Sequence, residues 1–598
     1  MSPRSPATRR YVDLFTRYVG PRWPRAVLLG VLLLTSIALQ LANPQLLRAF
    51  IDSATHGAEL SALAVIAIAF IAVALVNQVL SAFAQYVGED LGWTATNALR
   101  ADLVLHCLRL DLSFHKARTP GELIERIDGD VTALASFFSR FIVNVLANLV
   151  LLLGVLVVVA RENVIAGIGF AAFAVAGLLL LGRLRSIATR EWGVVRETQA
   201  QMYGFLGEHL AGTEDIRSNG AEWHVLNGLS RHHRAWLAAR RRAMLRWSIV
   251  ESATFVTFAA GHAMAFGIGG YLWLNGQITI GTVYLLFYYV EQLRRPIEQL
   301  RRELEDMQRA FASVSRVDEM LHITSRLPPG RGLRLPAGAI GVELDAVSFT
   351  YGPDATEPGE SAGGASGLVL RDVSLAVAPG RTLGVLGRTG SGKTTLARLL
   401  MRFYDPTGGT VRLGRVDVRD ADLDELRSRA TLVSQDVQLF SASVRDNLTF
   451  FDPTIEDAHI TAVLDQIGLR DWLRAQEDEG GRGLDARLSA GSLSAGEAQL
   501  VALGRVFLRD PGLVILDEAS SRLDPVTERQ IETAIDALLE DRTGIVIAHR
   551  LATLQRCDDV LILDEGRVVE HGPRAALAAD PSSRFAQLLR TGLEQVLA

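Results

Sequence analysis

The segment at residues 387–394 reads Gly-Arg-Thr-Gly-Ser-Gly-Lys-Thr and fits the pattern G-x-x-x-x-G-K-[ST]. Glycines allow the tight backbone path, and the amides at a following helix N-terminus bind phosphate oxygens. Lys393 is one of only two lysines in a chain whose other cations are arginines. An ammonium group is compact enough to lie between phosphate oxygens, whereas the guanidinium fork is not. The segment predicts a nucleoside triphosphate site formed by Gly387, Arg388, Thr389, Gly390, Ser391, Gly392, Lys393, Thr394 and Thr395.

The elements around this segment support the prediction. A short apolar strand at residues 383–386 runs into the loop, and we expect a helix over residues 394–403. Downstream, the apolar strand Leu-Val-Ile-Leu at residues 513–516 ends in Asp517 and Glu518. Asp517 is placed to hold Mg²⁺ together with the Thr394 hydroxyl, and Glu518 to polarise an attacking water. By themselves, the two carboxylates could equally be solvated acids at the end of a strand.

Charge and cysteine content argue against a nucleic-acid-binding protein and against a disulfide or zinc framework. The formal net charge of −5 gives no electrostatic reason to expect a nucleic-acid partner. Cys107 and Cys557 are too few and too far apart for a disulfide or zinc framework.

Long stretches without charge occupy the first half of the chain, and each of them holds at least the ~20 residues that a helix needs to cross a bilayer. The last stretch is too long for one helix, since 39 residues would span about 58 Å at ~1.5 Å per residue. Its middle contains the polar turn Asn275-Gly276-Gln277, so the sequence predicts six spans. A buried soluble core could explain one predicted span of this kind but not six. The stretches are residues 26–47, 60–88, 141–160, 163–182 and 252–290.

The loops predict the orientation. Six arginines precede the first span, and the loops after the second and fourth spans are long and rich in arginine. The loops after the first, third and fifth spans are short and nearly uncharged. Because arginine excess marks the cytoplasmic side, we expect both termini and the nucleotide-binding region in the cytoplasm. The protein would then be a multi-pass protein of a bacterial cytoplasmic membrane.

The chain divides into three predicted parts. The long loops carry apolar residues at helical spacing and should extend the spanning helices. Residues 322–340 are rich in proline, glycine and arginine without periodicity, which is typical of a linker. We therefore predict a transmembrane domain at 1–321, a linker at 322–340 and a nucleotide-binding domain at 341–598.

Residues 493–497, Leu-Ser-Ala-Gly-Glu, resemble the L-S-G-G-Q signature of ATP-binding cassette (ABC) transporters. Tyr351 resembles the aromatic residue that stacks on adenine, and Gln435 the loop glutamine that senses Mg²⁺ and the membrane domain. Asp524 lies in a segment similar to the S-A-L-D loop, and His549 resembles the switch histidine that contacts the γ-phosphate. All these motifs follow the order of the family. The resemblance covers nearly the whole chain and is to exporter-type half-transporters.

The resemblance implies a membrane α-helical domain of six transmembrane helices of exporter type plus an α/β P-loop nucleotide-binding domain of ABC type. It implies an ATPase with ATP and Mg²⁺ as cofactors and a second half-transporter as partner, in a homodimer or heterodimer. The signature residues would then cover ATP bound to that partner. The implied catalytic residues are Glu518, His549, Lys393 and Gln435; the metal ligands are Thr394, Gln435 and Asp517; and further nucleotide contacts are Tyr351, Ser494, Ala495, Gly496, Glu497 and Asp524.

Three positions depart from the family pattern: Ala495 and Glu497 in the signature, and Arg522 in the S-A-L-D-like loop. One interpretation is drift within a working signature. The other is a heterodimer in which this chain's weakened signature covers a catalytically poor partner site.

The sequence identifies neither the transported substrate nor the direction of transport. Residues 114–123 and 208–217 resemble the intracellular loops whose short helices dock on nucleotide-binding domains. Polar groups within or beside the spans include His262, Glu291 and Arg294, which do not select among a small-molecule, lipid or peptide substrate. Export is the first hypothesis. Alternatives are an exporter-shaped importer of the siderophore type and a weakly catalytic partner or regulatory subunit.

Overall fold

The computed structural model describes residues 13–14, 16–136, 142–351, 367–434, 437–478, 483–488, 493–517, 525–548 and 552–591. The chain folds as two compact units, and each is discontinuous in sequence. The first unit takes its described residues from Met1–Leu108 and Pro120–Ile323. The second unit takes them from Arg109–Thr119 and Thr324–Ala598. The short segment 109–119 therefore belongs with the C-terminal part of the chain.

In the residues that the structure describes, the first unit consists of helices joined by short turns. Five helices of the described chain are long and apolar enough to cross a membrane, judged by length and composition. The sixth long helix, α10, carries charges from Glu291 onward and is less apolar along its length. The polar turn predicted at residues 275–277 is present, because α9 ends at Leu274 and α10 begins at Ile280. The long helices are α1 Trp23–Thr55, α2 Leu60–Arg109, α6 Ile142–Glu162, α7 Val164–Ala211, α9 Glu222–Leu274 and α10 Ile280–Leu321.

The predicted extension of the spans is confirmed, since α2, α7, α9 and α10 each run well beyond their uncharged stretch as continuous helices. α9 packs along α7, and α10 packs against α1, α6 and α9. Their shared core contains Phe170, Phe258 and Leu286. Shorter elements connect the helices: α3 Leu112–Lys116, α4 Pro120–Ile124, a π-helical turn Glu125–Asp130, α5 Val131–Ser136 and α8 Thr213–Ser218.

Asp130 ties the π-helical turn to α10. Its carboxylate is buried and accepts hydrogen bonds from Ser313 Oγ at 2.9 Å and from Arg316 Nε at 2.9 Å. A second guanidinium nitrogen of Arg316 also donates to it. Burial opposes ionisation, but the hydrogen bonds from Arg316 and Ser313 hold the pKa of Asp130 below its ordinary value.

The second unit contains two sheets. The larger sheet has the strand order β10-β9-β3-β8-β7-β6, and all its strands are parallel except β10. The smaller sheet is antiparallel with the order β2-β1-β4-β5. The strands are β1 Val342–Phe349, β2 Leu370–Val377, β3 Thr382–Gly387, β4 Gly408–Leu413, β5 Val416–Asp417, β6 Ala430–Val433, β7 Leu513–Asp517, β8 Thr543–Ile547, β9 Asp559–Asp564 and β10 Arg567–Pro573.

The central strands of the large sheet are buried on both faces, which explains their continuous apolar sequence. In β7, Val514 and Leu516 enter one core while Leu513 and Ile515 enter the other. Besides α3, which lies in segment 109–119, the described helices of this unit are α11 Lys393–Leu400, α12 Leu423–Arg429, α13 Val444–Thr449, α14 Asp457–Gln466, α15 Arg470–Asp478, α16 Ala495–Arg509, α17 Pro525–Leu539, α18 Arg574–Ala579 and α19 Arg584–Thr591.

The helix predicted over residues 394–403 is shorter than expected. α11 ends at Leu400, and Arg402 takes a left-handed conformation with φ of 48°. The Arg402 guanidinium is fully buried, donating to Asp405 at 3.1 Å and to the Pro328 carbonyl at 2.8 Å. These contacts fix a non-helical backbone at Arg402, so the prediction was wrong at its C-terminal end.

Candidate functional site

The phosphate loop lies between the buried strand β3 and helix α11. A Cβ added at Gly387 would lie 2.3 Å from the Leu563 carbonyl oxygen on β9. Gly392 has φ of 99°, and a Cβ there would lie 2.6 Å from Leu370 Cδ2. Only glycine fits both positions without displacing its neighbours. The two glycines therefore fit a closely packed loop whose amides precede a helix N-terminus.

Lys393 is the first residue of α11 and is only 7% exposed. Its ammonium donates to the carbonyl oxygens of Gly387 at 2.8 Å and Arg388 at 2.9 Å, so it folds back over the loop. Ser391 is 3% exposed, and its Oγ is buried without a hydrogen bond to any residue that the structure describes. A buried cation and an orphaned hydroxyl on one glycine-rich loop suit an anionic ligand with several oxygens.

Thr394 and Asp517 are brought together as predicted. The Thr394 hydroxyl donates to Asp517 Oδ2 at 3.3 Å, which joins the start of α11 to the end of β7. Hydroxyl and carboxylate oxygens are ligands that Mg²⁺ accepts, usually beside waters and substrate phosphates. No cluster of three His, Cys, Asp or Glu side chains suited to a metal occurs among the described residues. The donor set therefore fits a magnesium ion held jointly with a phosphate ligand.

Tyr351 lies at the end of β1 beside α11. Its hydroxyl is 2.8 Å from Thr395 Oγ1 and accepts a hydrogen bond from Arg398 at 2.9 Å. Phe349 and Tyr404 meet its ring nearly at right angles, with centroids 4.8 and 5.1 Å away. These contacts fix the orientation of a half-buried ring close to the phosphate loop.

The signature-like segment caps a helix. Ser494 is the N-cap of α16, and its Oγ accepts from the Glu497 N–H at 3.3 Å. In return, Glu497 Oε2 accepts from the Ser494 N–H and from the Ser494 hydroxyl, both at 2.8 Å. This is a capping box, in which the two residues satisfy each other's backbone donors. Gly496 is buried, whereas Ser494 and Ala495 are exposed. Glu497 therefore has a structural role that its departure from the family pattern did not reveal.

Four predicted site residues lie outside the described residues: Gln435, Glu518, Asp524 and His549. Glu518 follows the end of β7 in sequence, and His549 follows Ala548 after β8. β7 and β8 are neighbouring parallel strands, with Asp517 in register with Ile547.

Sequence reasoning missed the role of Asp111, which anchors segment 109–119 in the second unit. This carboxylate is 7% exposed and accepts from the Arg326 N–H at 2.6 Å and from Ser325 Oγ at 3.2 Å. It also caps α3 by accepting from the Phe114 N–H at 3.3 Å and from Ser113 Oγ. Burial opposes ionisation, but these hydrogen bonds hold the pKa of Asp111 below its ordinary value.

Other residues of segment 109–119 also pack within the second unit, to which the segment belongs. Leu112 packs against the core beneath the smaller sheet. Phe114 is buried, and the Arg118 guanidinium lies 4.5 Å from its ring centroid. The short helices predicted in both intracellular-type loops are present, as α3 and α8.

A cavity of about 470 Å³ lies in the second unit between β6 and α16. The side chains of Arg505 and Arg509 lie over the Phe450 ring at 4.6 and 5.2 Å. Burial, with Arg509 as a nearby like charge, lowers the pKa of Arg505 to about 10. Its rings and cations are Phe403, Phe440, Phe450, Arg427, Arg505 and Arg509.

In the first unit, charged groups meet between α9 and α10. His262 Nε2 lies 3.8 Å from Glu291 Oε2, and the His262 ring packs on Phe287 with centroids 4.4 Å apart. Arg294 lies 3.7 Å from Glu291 and donates to Glu298 at 3.2 Å. The structure therefore brings together His262, Glu291 and Arg294, which the sequence analysis named as polar groups within or beside the spans.

Comparison with known proteins identifies the family. The profile of the ABC transporter transmembrane region matches residues 26–297, and that of the ABC transporter matches residues 370–521. A putative multidrug export ATP-binding/permease protein of Staphylococcus aureus is 30% identical over 511 residues, covering 83% of this chain and 84% of that protein. The chain belongs to the ABC transporter family.

Two further relatives of this ABC transporter extend the match. The putative multidrug export ATP-binding/permease protein YgaD of Bacillus subtilis is 28% identical over 580 residues, covering 94% of this chain and 95% of that protein. The structure of a bacterial Atm1-family ABC exporter with ATP bound superposes with a TM-score of 0.75 at 24% identity. That likeness covers 95% of this chain and 98% of the other, and it shows the shared fold.

The predicted fold class and ATPase activity are thus confirmed. The protein is a multi-pass membrane ABC transporter that binds ATP and couples ATP hydrolysis to transport.

Proposed function

We propose that two copies of this chain form an exporter that moves small drug-like molecules out of a bacterial cytoplasm. One observation carries this proposal: a single chain joins the transmembrane unit to a phosphate loop whose Thr394 reaches Asp517. Several relatives bear names that include multidrug export, which favours export over the importer alternative.

The proposed nucleotide site assigns a task to each group. The Lys393 ammonium, now held by two loop carbonyls, would transfer its hydrogen bonds to phosphate oxygens when ATP binds. The Ser391 hydroxyl and the loop amides would take further oxygens, and the Tyr351 ring would stack on adenine. Glu518 would accept a proton from the attacking water, and His549 would contact the γ-phosphate. The proposed nucleotide contacts also include Gln435, Asp524 and the signature residues.

Thr394, Asp517 and Gln435 are the proposed holders of Mg²⁺, and the first two are already hydrogen-bonded. When bound, the ion would neutralise charge that develops on the phosphate oxygens. Asp517 keeps the Thr394 hydroxyl oriented at the start of α11.

The second copy completes the site. We propose that Ser494 and the N-terminal end of α16 meet the γ-phosphate of ATP bound to the partner, as the family resemblance implies. We also propose that α8 of one copy docks into the arginine-lined cavity of the other. α8 carries Glu214 and Asp215 in its first turn, and the side chains of Arg427 and Arg509 line the cavity.

The domain boundaries and topology belong to the same proposal. The transmembrane domain would comprise residues 1–321, the linker 322–340 and the nucleotide-binding domain 341–598. Both termini and the nucleotide-binding domain would lie in the cytoplasm, since the arginine-rich loops mark that side.

The heterodimer is the second candidate, because Ala495 and Glu497 depart from the signature. Glu497 nevertheless forms a complete capping box, which favours a working signature. The two candidates differ in whether this chain alone hydrolyses ATP.

The experiment uses inside-out vesicles that contain only this transporter. Exporter activity predicts ATP-dependent accumulation of a fluorescent drug such as Hoechst 33342 inside the vesicles. Lys393→Ala, which removes the ammonium from the phosphate loop, is the matched control and should abolish the signal. Accumulation in right-side-out vesicles, loaded internally with ATP, would instead support the importer.

A further inference from the structure

Two helices of the first unit that pack against each other, α1 and α10, each contain a proline in their interior. Pro44 lies inside α1, and Pro296 lies inside α10. Proline has no backbone N–H, so each one deprives the carbonyl four residues earlier of its helix hydrogen bond. The carbonyls concerned belong to Gln40 and Gln292. Each helix therefore has one weakened turn, over residues 40–44 in α1 and residues 292–296 in α10.

The two weakened turns are bonded to each other. Gln292 Nε2 donates to the Gln40 carbonyl oxygen at 2.9 Å and so replaces the donor that Pro44 lacks. One turn earlier in α10, the Tyr289 hydroxyl donates to the Leu41 carbonyl at 2.9 Å. Gln292 Oε1 is buried without a hydrogen bond to any residue that the structure describes. Because an unpaired buried oxygen costs free energy, the donor is what this side chain contributes here.

On the C-terminal side of its weakened turn, α1 is bonded to the start of α10. The Asp52 carboxylate accepts from Thr279 Oγ1 at 2.8 Å and from the Gly281 N–H at 2.9 Å. Together with the bond from Tyr289, these contacts join residues 41–55 of α1 and residues 280–291 of α10 into one bonded piece, which we call the paired piece.

On the other side of the weakened turns, the two helices have separate partners. In α1, Ser36 Oγ donates to Asn77 Oδ1 of α2 at 2.7 Å. In α10, Ser313 and Arg316 donate to Asp130 in the π-helical turn. The paired piece is thus connected through two proline turns to helix parts that are anchored independently. Hinges between rigid parts are built in this way.

We propose that the two weakened turns form a paired hinge, and that Gln292 is a positioning residue that makes both turns bend together. The paired piece then changes its angle to the rest of α1 and α10 in each transport cycle. The contacts within the paired piece are kept, because the bending takes place at turns that already lack one helix hydrogen bond each.

The first test measures ATP hydrolysis by the full-length transporter in nanodiscs, with Pro44→Ala, Pro296→Ala and the double variant. Each alanine adds an N–H, and the helix hydrogen bond that it forms must break on bending, so kcat should fall about fivefold. The half-saturating ATP concentration should change less than about threefold, since the phosphate loop is untouched. Coupled bending breaks both added bonds in one step, so the double variant should be about 25-fold slower.

Two results of this test would overturn the proposal. An unchanged kcat in both single variants would show that neither turn bends during the cycle. A double variant no slower than the single variants would show that the turns bend in separate steps, without coupling.

Thermal stability tests the link through Gln292. Gln292→Leu should lower the Tm by about 2 °C or more, because it leaves the Gln40 carbonyl without its donor inside the membrane unit. In the Pro44→Ala background the loss should be smaller, since the alanine N–H can bond to that carbonyl. The matched control is Gln45→Leu, which removes only a bond to the Tyr289 hydroxyl at 3.4 Å and should cost the same in both backgrounds. An equal loss for Gln292→Leu in the two backgrounds would overturn the proposed link.

Discussion

Asp111→Asn is the most informative single perturbation of the coupling region. Segment 109–119 follows directly from helix α2, yet it is part of the unit that holds the phosphate loop. Asp111 is its main polar anchor, through the Arg326 N–H at 2.6 Å and Ser325 Oγ at 3.2 Å. Asparagine keeps the size of the side chain, removes the charge and replaces one oxygen by an NH₂ group that cannot accept.

The free energy that Asp111→Asn should cost the segment can be worked out from these hydrogen bonds. Hydrogen bonds to a charged group contribute about 1.5–3 kcal/mol, against about 0.5–1.5 kcal/mol for neutral pairs. Two bonds meet Asp111 Oδ2, so loss of charge alone costs about 2 kcal/mol. If the amide NH₂ faces the Arg326 N–H, that buried donor loses its partner and adds about 1–3 kcal/mol. The total, about 2–5 kcal/mol, is enough to release the segment locally.

Hydrogen–deuterium exchange of the intact transporter measures that release. Amides of residues 111–117 should exchange at least about 30-fold faster in Asp111→Asn, because 2 kcal/mol corresponds to roughly that factor. Transport per ATP hydrolysed should fall, since the anchor is broken. The comparison variant is Ser325→Ala, which removes the bond to Asp111 at 3.2 Å and the bond that Ser325 Oγ accepts from the Leu327 N–H at 3.1 Å. It should also speed exchange in the segment, because it takes one donor from the Asp111 carboxylate. Unchanged exchange in Asp111→Asn would refute the reasoning.

The same anchor should depend on pH. The folded pKa of Asp111 is lowered, so its stabilising contribution is fully present above the ordinary pKa of about 4. It is then lost as the pH falls through the lowered folded value. Exchange in Asp111→Asn should lack this acid-dependent component.

Three further predictions concern other contacts. Lys393→Arg should lose most ATP hydrolysis although it keeps the charge, because the Lys393 side chain is only 7% exposed and its site has no room for the guanidinium fork. Near-normal ATPase activity would count against this prediction. Tyr351→Ala should raise the ATP concentration for half-maximal hydrolysis about 5- to 50-fold, because the stacking ring is lost. Tyr351→Phe keeps the ring and loses only the hydroxyl contact with Thr395, so it should raise that concentration by less than about threefold. Equal effects of the two variants would contradict a stacking role. Arg48→Met should lower thermal stability, because the Arg48 guanidinium lies 2.6 Å from the Glu162 carboxylate and 3.6 Å from that of Asp52. Adding Glu162→Met should recover part of the loss, since it removes the unpaired partner. Strictly additive losses would argue against that pairing.

Local signals explain what the sequence could predict. Uncharged stretches of span length predicted the long helices, and the turn at residues 275–277 separated the last two. Glycines, Lys393 and Thr394 at fixed spacing predicted the phosphate loop, because each group meets its ligand within a few residues of chain. The pattern Ser-x-x-Glu at residues 494–497 also carried the signal of a capping box, which was read only as a departure from the signature.

Contacts between distant segments explain what the sequence could not predict. Asp111 is anchored by residues more than 200 positions away. The π-helical turn Glu125–Asp130 is held by Arg316, 186 positions from Asp130. Helix α11 ends early because the buried Arg402 donates to the Pro328 carbonyl. In each case a tertiary hydrogen bond overrides the local preference.

The most direct test of the central claim is ATP hydrolysis by purified protein that contains only this chain, reconstituted in nanodiscs and compared with Glu518→Gln. The account predicts steady hydrolysis by the unaltered protein and its loss in Glu518→Gln, with ATP binding retained through Lys393 and the phosphate loop. Hydrolysis at an equal rate in Glu518→Gln, or none without a second type of subunit, would contradict a catalytically competent homodimer.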